Sequence, residues 1–313
     1  MNTDFQKGAA LPHPCFIRVN LWRMKLNEIE ALDFDLALTL DSGQVFHWES
    51  CGSGYAGMIG DRAVYVEQQS GRLLISRGAV GAVGKYFALD HPLPDICNSF
   101  PADPAMSAAR DYCHGLRIIR QPIWECLATF ITSSLKQVAH IRQMSRALRQ
   151  RFGERLTLGT IELYVFPSAK RLAHVPEVEL RNCALGYRAK NLLLTAKRVS
   201  SGEADLHLWR ELPDDELRAR LCELPGVGLK VANCVMLFAY ERLRAFPIDV
   251  WIERVLTQQY FPRRRKMRLQ QLRAFCDSYF GEHGGYAQQY LFHHARKTTV
   301  RTRRSTQGCS RPR

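Results

Sequence analysis

Apolar residues recur at every second position in the first third of the chain and at every third or fourth position in the rest. Phe34, Leu36, Leu38 and Leu40 alternate with other residues, which predicts a strand with one buried face. Asp41-Ser42-Gly43-Gln44 reads as a turn, and Val45-Phe46-His47-Trp48 resumes in strand-forming residues. Further short runs lie at Tyr55–Ile59, Ala63–Glu67 and Arg72–Ser76, each bounded by glycine or polar turns. Turn signals about every ten residues predict an antiparallel sheet. Lys85–Leu89 and the proline-containing stretch Asp90–Pro94 end this pattern.

Helical spacing begins at about residue 104. Ile123, Leu127, Phe130 and Ile131 share a face behind Pro122, which costs little at a helix start because its missing N–H has no helical partner there. Val138–Phe152 reads as a second helix closed by Gly153, and Leu185-Gly186-Tyr187-Arg188 opens a third that runs to about Val199. Asp214 is placed to cap a fourth, with Leu217, Leu221 and Leu224 on one face. Lys230–Tyr240, Val250–Tyr260, Leu269–Tyr279 and Tyr286–Ala295 complete the series. The fold class is therefore α+β: an antiparallel sheet domain over 1–113, a nearly all-helical domain over 114–297 and a basic tail over 298–313. The tail has almost no apolar residues and is expected to be disordered. The boundary is set near Pro101 and Pro104, and no internal repeat is visible.

Composition fits a globular chain of 313 residues, 46% hydrophobic and 24% charged. The formal charge of +14 favours a polyanionic partner, although a merely basic protein is an equal reading of charge alone. The apolar run Val231–Tyr240 is half the ~20 residues a membrane span needs. No signal peptide is legible at Met1-Asn2-Thr3-Asp4. The ten cysteines are scattered, with no CxxC pair, which predicts free thiols in a reducing compartment.

The candidate chemistry centres on Leu224-Pro225-Gly226-Val227-Gly228-Leu229-Lys230. Gly226 and Gly228 permit a sharp turn and a close backbone approach, and the first N–H groups of the following helix are free to meet a phosphate. An ordinary corner between two helices is the competing reading. Lys230 opens that helix, a poor place for a positive charge. A neutral lysine is a nucleophile, whereas most lysines are solvated surface groups. Nineteen residues on (249 − 230), Asp249 follows Phe246-Pro247-Ile248 at the next helix start. It can cap that helix and also face a developing positive charge.

These residues match a known pattern. Leu224-Pro225-Gly226-Val227-Gly228, Lys230 and Ala232, followed by Pro247-Ile248-Asp249-Val250, resemble the helix-hairpin-helix DNA glycosylases that keep both lysine and aspartate. Ser42-Gly43-Gln44 with Phe46 and Trp48, Phe130-Ile131-Thr132-Ser133-Ser134, Leu185-Gly186-Tyr187-Arg188-Ala189, and Tyr286-Ala287-Gln288 with Leu291-Phe292 narrow the resemblance to the 8-oxoguanine DNA glycosylases. It implies a monomeric bifunctional glycosylase and AP lyase that acts on double-stranded DNA containing 8-oxoguanine. Lys230 would attack C1′ of a flipped nucleotide, and Asp249 would stabilise the developing charge. The Gly43 carbonyl would accept the N7–H that only the oxidised base carries, Gln288 would read the Watson–Crick edge, and Phe292 and Cys234 would sandwich the base. Gly226, Val227 and Gly228 would hold the DNA backbone. No cofactor is implied, though the resemblance leaves room for a structural monovalent cation at the hairpin. The location would be the nucleoid of a bacterium or the nucleus of a eukaryote.

Three positions depart from the family pattern. Leu135 stands where the family has an asparagine that fills the gap left by the flipped base, and His140 where it has an arginine that reads the opposite cytosine. Tyr187 and Arg188 remain to press on the stack and contact that base. With two of three cytosine readers altered, discrimination for cytosine is expected to be relaxed. Trp251 replaces a histidine near a backbone phosphate. Rival readings are an endonuclease III-like enzyme, an alkyl-base glycosylase and a DNA-binding protein with a dead site. Only Cys276 and Cys309 lie near the C-terminus, too few for the iron–sulfur cluster of many endonuclease III-like enzymes.

Overall fold

A computed structural model describes residues 25–134, 136–263 and 267–307. Its first part is a five-stranded antiparallel sheet in the order β1-β5-β4-β3-β2. The strands are β1 (Leu26–Glu30), β2 (Glu49–Cys51), β3 (Gly54–Ile59), β4 (Arg62–Gln69) and β5 (Arg72–Ser76). The three runs expected at 55–76 are therefore strands β3, β4 and β5. In β4 alternate residues serve opposite faces. Val64 and Val66 join Leu73, Ile75, Val83 and Phe87 in one apolar cluster. Ala56 and Met58 of β3 line the other face, together with Leu163.

The stretch from Phe34 to Leu40 is a correction. It forms helix α1 (Leu36–Asp41), not a strand. Apolar residues at every second position also satisfy i, i+4, so Leu36 and Leu40 fit either period. The Asp35 carboxylate decides it by accepting the Leu38 N–H at 2.8 Å, an N-cap that a strand does not provide. Val45–Trp48 likewise forms no strand, and pairing begins only at Glu49.

Helices α2 (Val80–Tyr86), α3 (Leu93–Asn98) and α4 (Pro104–Tyr112) lead from the sheet to the helical part. There follow α5 (Ile123–Ser133), α6 (Val138–Phe152), α7 (Ala169–Ala173), α8 (Glu177–Leu180) and α9 (Arg188–Ser200). The series ends with α10 (Asp214–Cys222), α11 (Leu229–Ala239), α12 (Val250–Val255), α13 (Leu269–Tyr279) and α14 (Gly284–Gln307). Pro213, not Asp214, occupies the N-cap of α10, and Asp214 is the first helical residue. Helix α14 continues past Ala295, where the periodicity ends. A hairpin of β6 (Arg155–Leu158) and β7 (Ile161–Tyr164) interrupts the helices, and its Leu163 covers the free face of the sheet.

A large apolar cluster fills the helical part, and it takes in Phe46 from the sheet side. Helix α5 lies inside it, with residues from Ile123 to Ser133 nearly all buried. Its one carboxylate, Glu125, is paired with the buried Arg149 of α6 and lies 3.4 Å from His47. Burial holds the His47 pKa well below its usual value, so the ring is neutral and the ion pair is that of Glu125 with Arg149. The eight described cysteines are free thiols. No helix among the described residues is long and apolar enough to cross a membrane.

Candidate active site

The hairpin joins α10 to α11. Gly226 takes φ +82°, and a Cβ there would stand 2.8 Å from the Asn191 side chain, so this position admits only glycine without rearrangement. Pro225 is fixed through its carbonyl, which accepts the Thr195 hydroxyl at 3.1 Å, and Val227 is buried as the apolar anchor of the turn. Gly228 is different. Its φ of −97° suits any residue, but a Cβ on it would meet nothing within 4 Å. The open surface there leaves the first N–H groups of α11 accessible to a ligand.

Lys230 sits in the first turn of α11, half-buried, with its Nζ 5.2 Å from the centre of the Phe130 ring on α5. Cys234 follows one turn later and is buried. Burial pushes the Cys234 thiol up to about 11, against the charge and hydrogen bond of Lys230 and with the help of Asp249. Asp249 is the N-cap of α12, accepting the N–H groups of Trp251 at 3.0 Å and Ile252 at 2.9 Å. Burial raises its pKa. The Ile252 N–H, the Lys230 charge and the Trp251 N–H pull it down without cancelling that effect. The three groups thus feel one another: a half-buried lysine and a buried thiol of α11 and the half-buried carboxylate that caps α12.

A second group assembles around Gly43. This glycine has φ +90°, and a Cβ on it would lie 3.1 Å from Cε1 of Phe292. Its neighbours are tied down by buried amides. Ser42 accepts through its carbonyl from Gln289 at 2.8 Å, and Gln44 through its carbonyl from Gln121 at 3.0 Å. The Gln44 side chain itself bridges to the Arg117 carbonyl at 2.8 Å and the Ile119 N–H at 2.8 Å. Among the described residues none donates to the Gly43 carbonyl. Gln288 and Phe292 are one turn apart on α14, and the buried Gln288 side chain leaves Oε1 without a hydrogen-bond partner. Such an amide is costly unless a ligand satisfies it. Helix α14 reaches this position because Gly285 lets it dock on α11: a Cβ there would fall 2.3 Å from Cδ1 of Leu237.

Residues 26–127 match the 8-oxoguanine DNA glycosylase N-terminal domain. Over 284 residues the chain is 31% identical to the N-glycosylase/DNA lyase OGG1 of Arabidopsis thaliana, covering 83% of this chain and 77% of that protein. The chain belongs to the 8-oxoguanine DNA glycosylase family. Two solved structures of such enzymes superpose on it. MBOgg1 in complex with a low-affinity DNA ligand gives a TM-score of 0.83 at 32% identity, covering 88% of this chain and 100% of that one. The Clostridium acetobutylicum 8-oxoguanine glycosylase/lyase, bound to double-stranded DNA with cytosine opposite 8-oxoG, gives 0.82 at 28%, covering 88% and 98%.

The residues of this glycosylase expected at the opposite strand are disposed less uniformly. Leu135 lies outside the described residues. His140 is exposed near the start of α6, and Tyr187 is exposed just before α9. Arg188 is buried, and its Nε and Nη2 both donate to the Ser134 carbonyl while its guanidinium lies 4.3 Å from the Tyr187 ring centre. Trp251 is half-buried under the Arg254 guanidinium, 5.3 Å away.

Some neighbours of these groups were not singled out by the sequence. Phe130 belongs to a family motif, but its position under the Lys230 amine depends on how α5 packs against α11. Asp41 and Arg296 flank the Gly43 loop from 255 residues apart, a pairing that no local pattern announces. A cavity of about 370 Å³ between the sheet and α6, lined by Trp48, Arg142 and Arg146 among others, does not include Lys230.

Proposed function

We propose that this enzyme excises 8-oxoguanine from double-stranded DNA and then cleaves the strand, with Lys230 as the nucleophile and Asp249 as its electrostatic partner. Lys230 Nζ forms a bond to C1′ as the glycosidic bond breaks, and the base leaves with that electron pair. The ammonium so formed passes a proton to O4′ as the C1′–O4′ bond breaks, and the ring-opened Schiff base that remains acidifies the C2′ proton. Its loss expels the 3′ phosphate by β-elimination and nicks the strand. Asp249 faces the cationic sugar as it develops. Because burial already makes its ionised form costly, a nearby cation is what relieves it.

Base choice falls to Gly43 and Gln288. A carbonyl without a donor accepts the N7–H of 8-oxoguanine and is left unpaired by guanine. Such a site rejects the analogue more strongly than a merely complementary surface does. Phe292 and Cys234 enclose the two faces of the base. Gly226, Val227 and Gly228 hold the DNA backbone without reading sequence, and the +14 charge supplies the attraction. In the opposite strand, Leu135 offers an apolar wedge and His140 is no substitute for an arginine fork, while Arg188 is engaged with Ser134. Reading of the opposite base is accordingly relaxed. Of the described residues, those up to 113 are assigned to the sheet domain and those from 114 to 297 to the glycosylase domain.

The observation that carries this reading is the pair of acceptors without a donor, the Gly43 carbonyl and Gln288 Oε1, in a chain that also couples Lys230 to Asp249. Incubation with a duplex holding one 8-oxoguanine should release the free base and leave a β-elimination nick. A duplex with guanine at the same place should stay intact. Release of neither base from either duplex would refute the assignment.

A further inference from the structure

The Gly43 carbonyl is one of four successive carbonyls, and the other three each hold a side-chain donor. Those of Ser42 and Gln44 are held by glutamines, at 2.8 Å and 3.0 Å. The Asp41 carbonyl is held by Nη2 of Arg296 on α14. Arg296 is only 13% exposed, and it reaches three further groups. Its Nη1 would stand 3.4 Å from a Cβ at Gly43, and its Cζ lies 5.6 Å from the Phe292 ring centre. Its Nη2 lies 3.4 Å from Nδ1 of the buried His293. Burial holds His293 down to about 4, so its Nδ1 is free to accept.

We infer that Arg296 is a positioning residue for lesion selection. It clamps the Asp41 carbonyl, and with it the Gly43 carbonyl two residues on, against the helix that carries Gln288 and Phe292. This rests on the assignment of Gly43 and Gln288 as base readers. The need is for the planar guanidinium rather than for charge. The Asp41 carboxylate already has Lys297 against it and Arg142 at 3.4 Å, so Arg296 at 3.9 Å is its most distant cation. Nη2 meets both the Asp41 carbonyl and the His293 imidazole while the flat guanidinium lies near the Phe292 ring, and a lysine ammonium lacks that plane. Without the clamp the Gln289 bond to the Ser42 carbonyl is left to tie the loop to α14, and the acceptor and the ring that bounds the base slot would shift relative to each other.

The test compares two reactions in the same duplex: single-turnover release of 8-oxoguanine, and strand cleavage at a preformed abasic site, which has no base to read. In Arg296→Met, base release should slow at least tenfold while abasic cleavage stays within threefold of wild type. Arg296→Lys, which keeps the charge, should remain at least fivefold slow in base release. Equal losses in both reactions would show a general structural role and overturn the inference. So would an unchanged rate of base release in Arg296→Met, or a return to the wild-type rate in Arg296→Lys. A wild-type enzyme that cleaves abasic DNA without releasing 8-oxoguanine would instead overturn the base-reading assignment beneath it.

Discussion

Replacing Gly43 by alanine changes one hydrogen to a methyl group at the proposed base reader. Two costs follow from the structure. At φ +90° an L side chain is strained, by about 1–2 kcal/mol. The new Cβ would also sit 3.1 Å from Phe292 and 3.4 Å from Arg296, so the ring or the loop must yield by a few tenths of an ångström. The flanking carbonyls are fixed by Gln289 and Gln121, which leaves little freedom for the loop to adjust without turning the Gly43 carbonyl itself. A misaligned acceptor in a buried site forfeits about 1–3 kcal/mol, roughly fivefold to hundredfold at 1.4 kcal/mol per decade. Single-turnover excision of 8-oxoguanine by Gly43→Ala should therefore fall by about that factor. Urea unfolding should report a stability loss of about 1–2 kcal/mol. Cleavage at an abasic site should be nearly unchanged. Excision at the wild-type rate, alongside the expected loss of stability, would refute the reasoning, because the strain would then not reach the base reader.

Three further outcomes are expected. Asp249 has a raised folded-state pKa, so its contribution to stability is fully present below its ordinary value of 3.8 and is lost as pH rises through the folded value. Asp249→Asn keeps an acceptor for the cap and removes the costly charge. Its melting temperature at pH 7 should equal or exceed that of the wild type while excision falls at least a hundredfold, and a lower melting temperature would contradict the sign of the shift. Opposite-base preference should be shallow when excision is compared across all four opposite bases. A hundredfold or greater preference for cytosine, about 2.7 kcal/mol, would sink the claim made for Leu135 and His140. Glu125→Ala strips the partner from the buried Arg149, and breaking such a pair costs about 3–5 kcal/mol. Urea unfolding checks this, and a loss below about 1 kcal/mol would mean that solvent reaches the pair.

The helices were legible because their apolar faces are long and their ends are marked. Pro122, Gly153 and Asp249 each stand at the helix end where turn chemistry places them. The error at Phe34–Leu40 arose where two periods coincide and a single carboxylate decides between them. The β6–β7 hairpin was missed because each strand has only four residues, and its partner surface, the free face of the main sheet, is distant in sequence. In the site, the hairpin, Lys230 and Asp249 belong to compact motifs and could be read directly. Gln288 and Phe292 could be named by resemblance, but not their relation to Gly43. That relation depends on α14 docking through Gly285 and on amide bonds spanning more than 70 residues. The Arg296 clamp has no signature in the sequence, since an arginine in a basic C-terminal stretch looks like a solvated charge.

The central claim is that Lys230 becomes covalently joined to the sugar it attacks. Borohydride reduction during turnover on an 8-oxoguanine duplex tests this most directly, because it fixes the Schiff base as a stable amine. The account predicts one protein–DNA adduct, mapped by peptide mass analysis to Lys230 and absent from Lys230→Gln. Base release without an adduct, or an adduct that persists in Lys230→Gln, would contradict it.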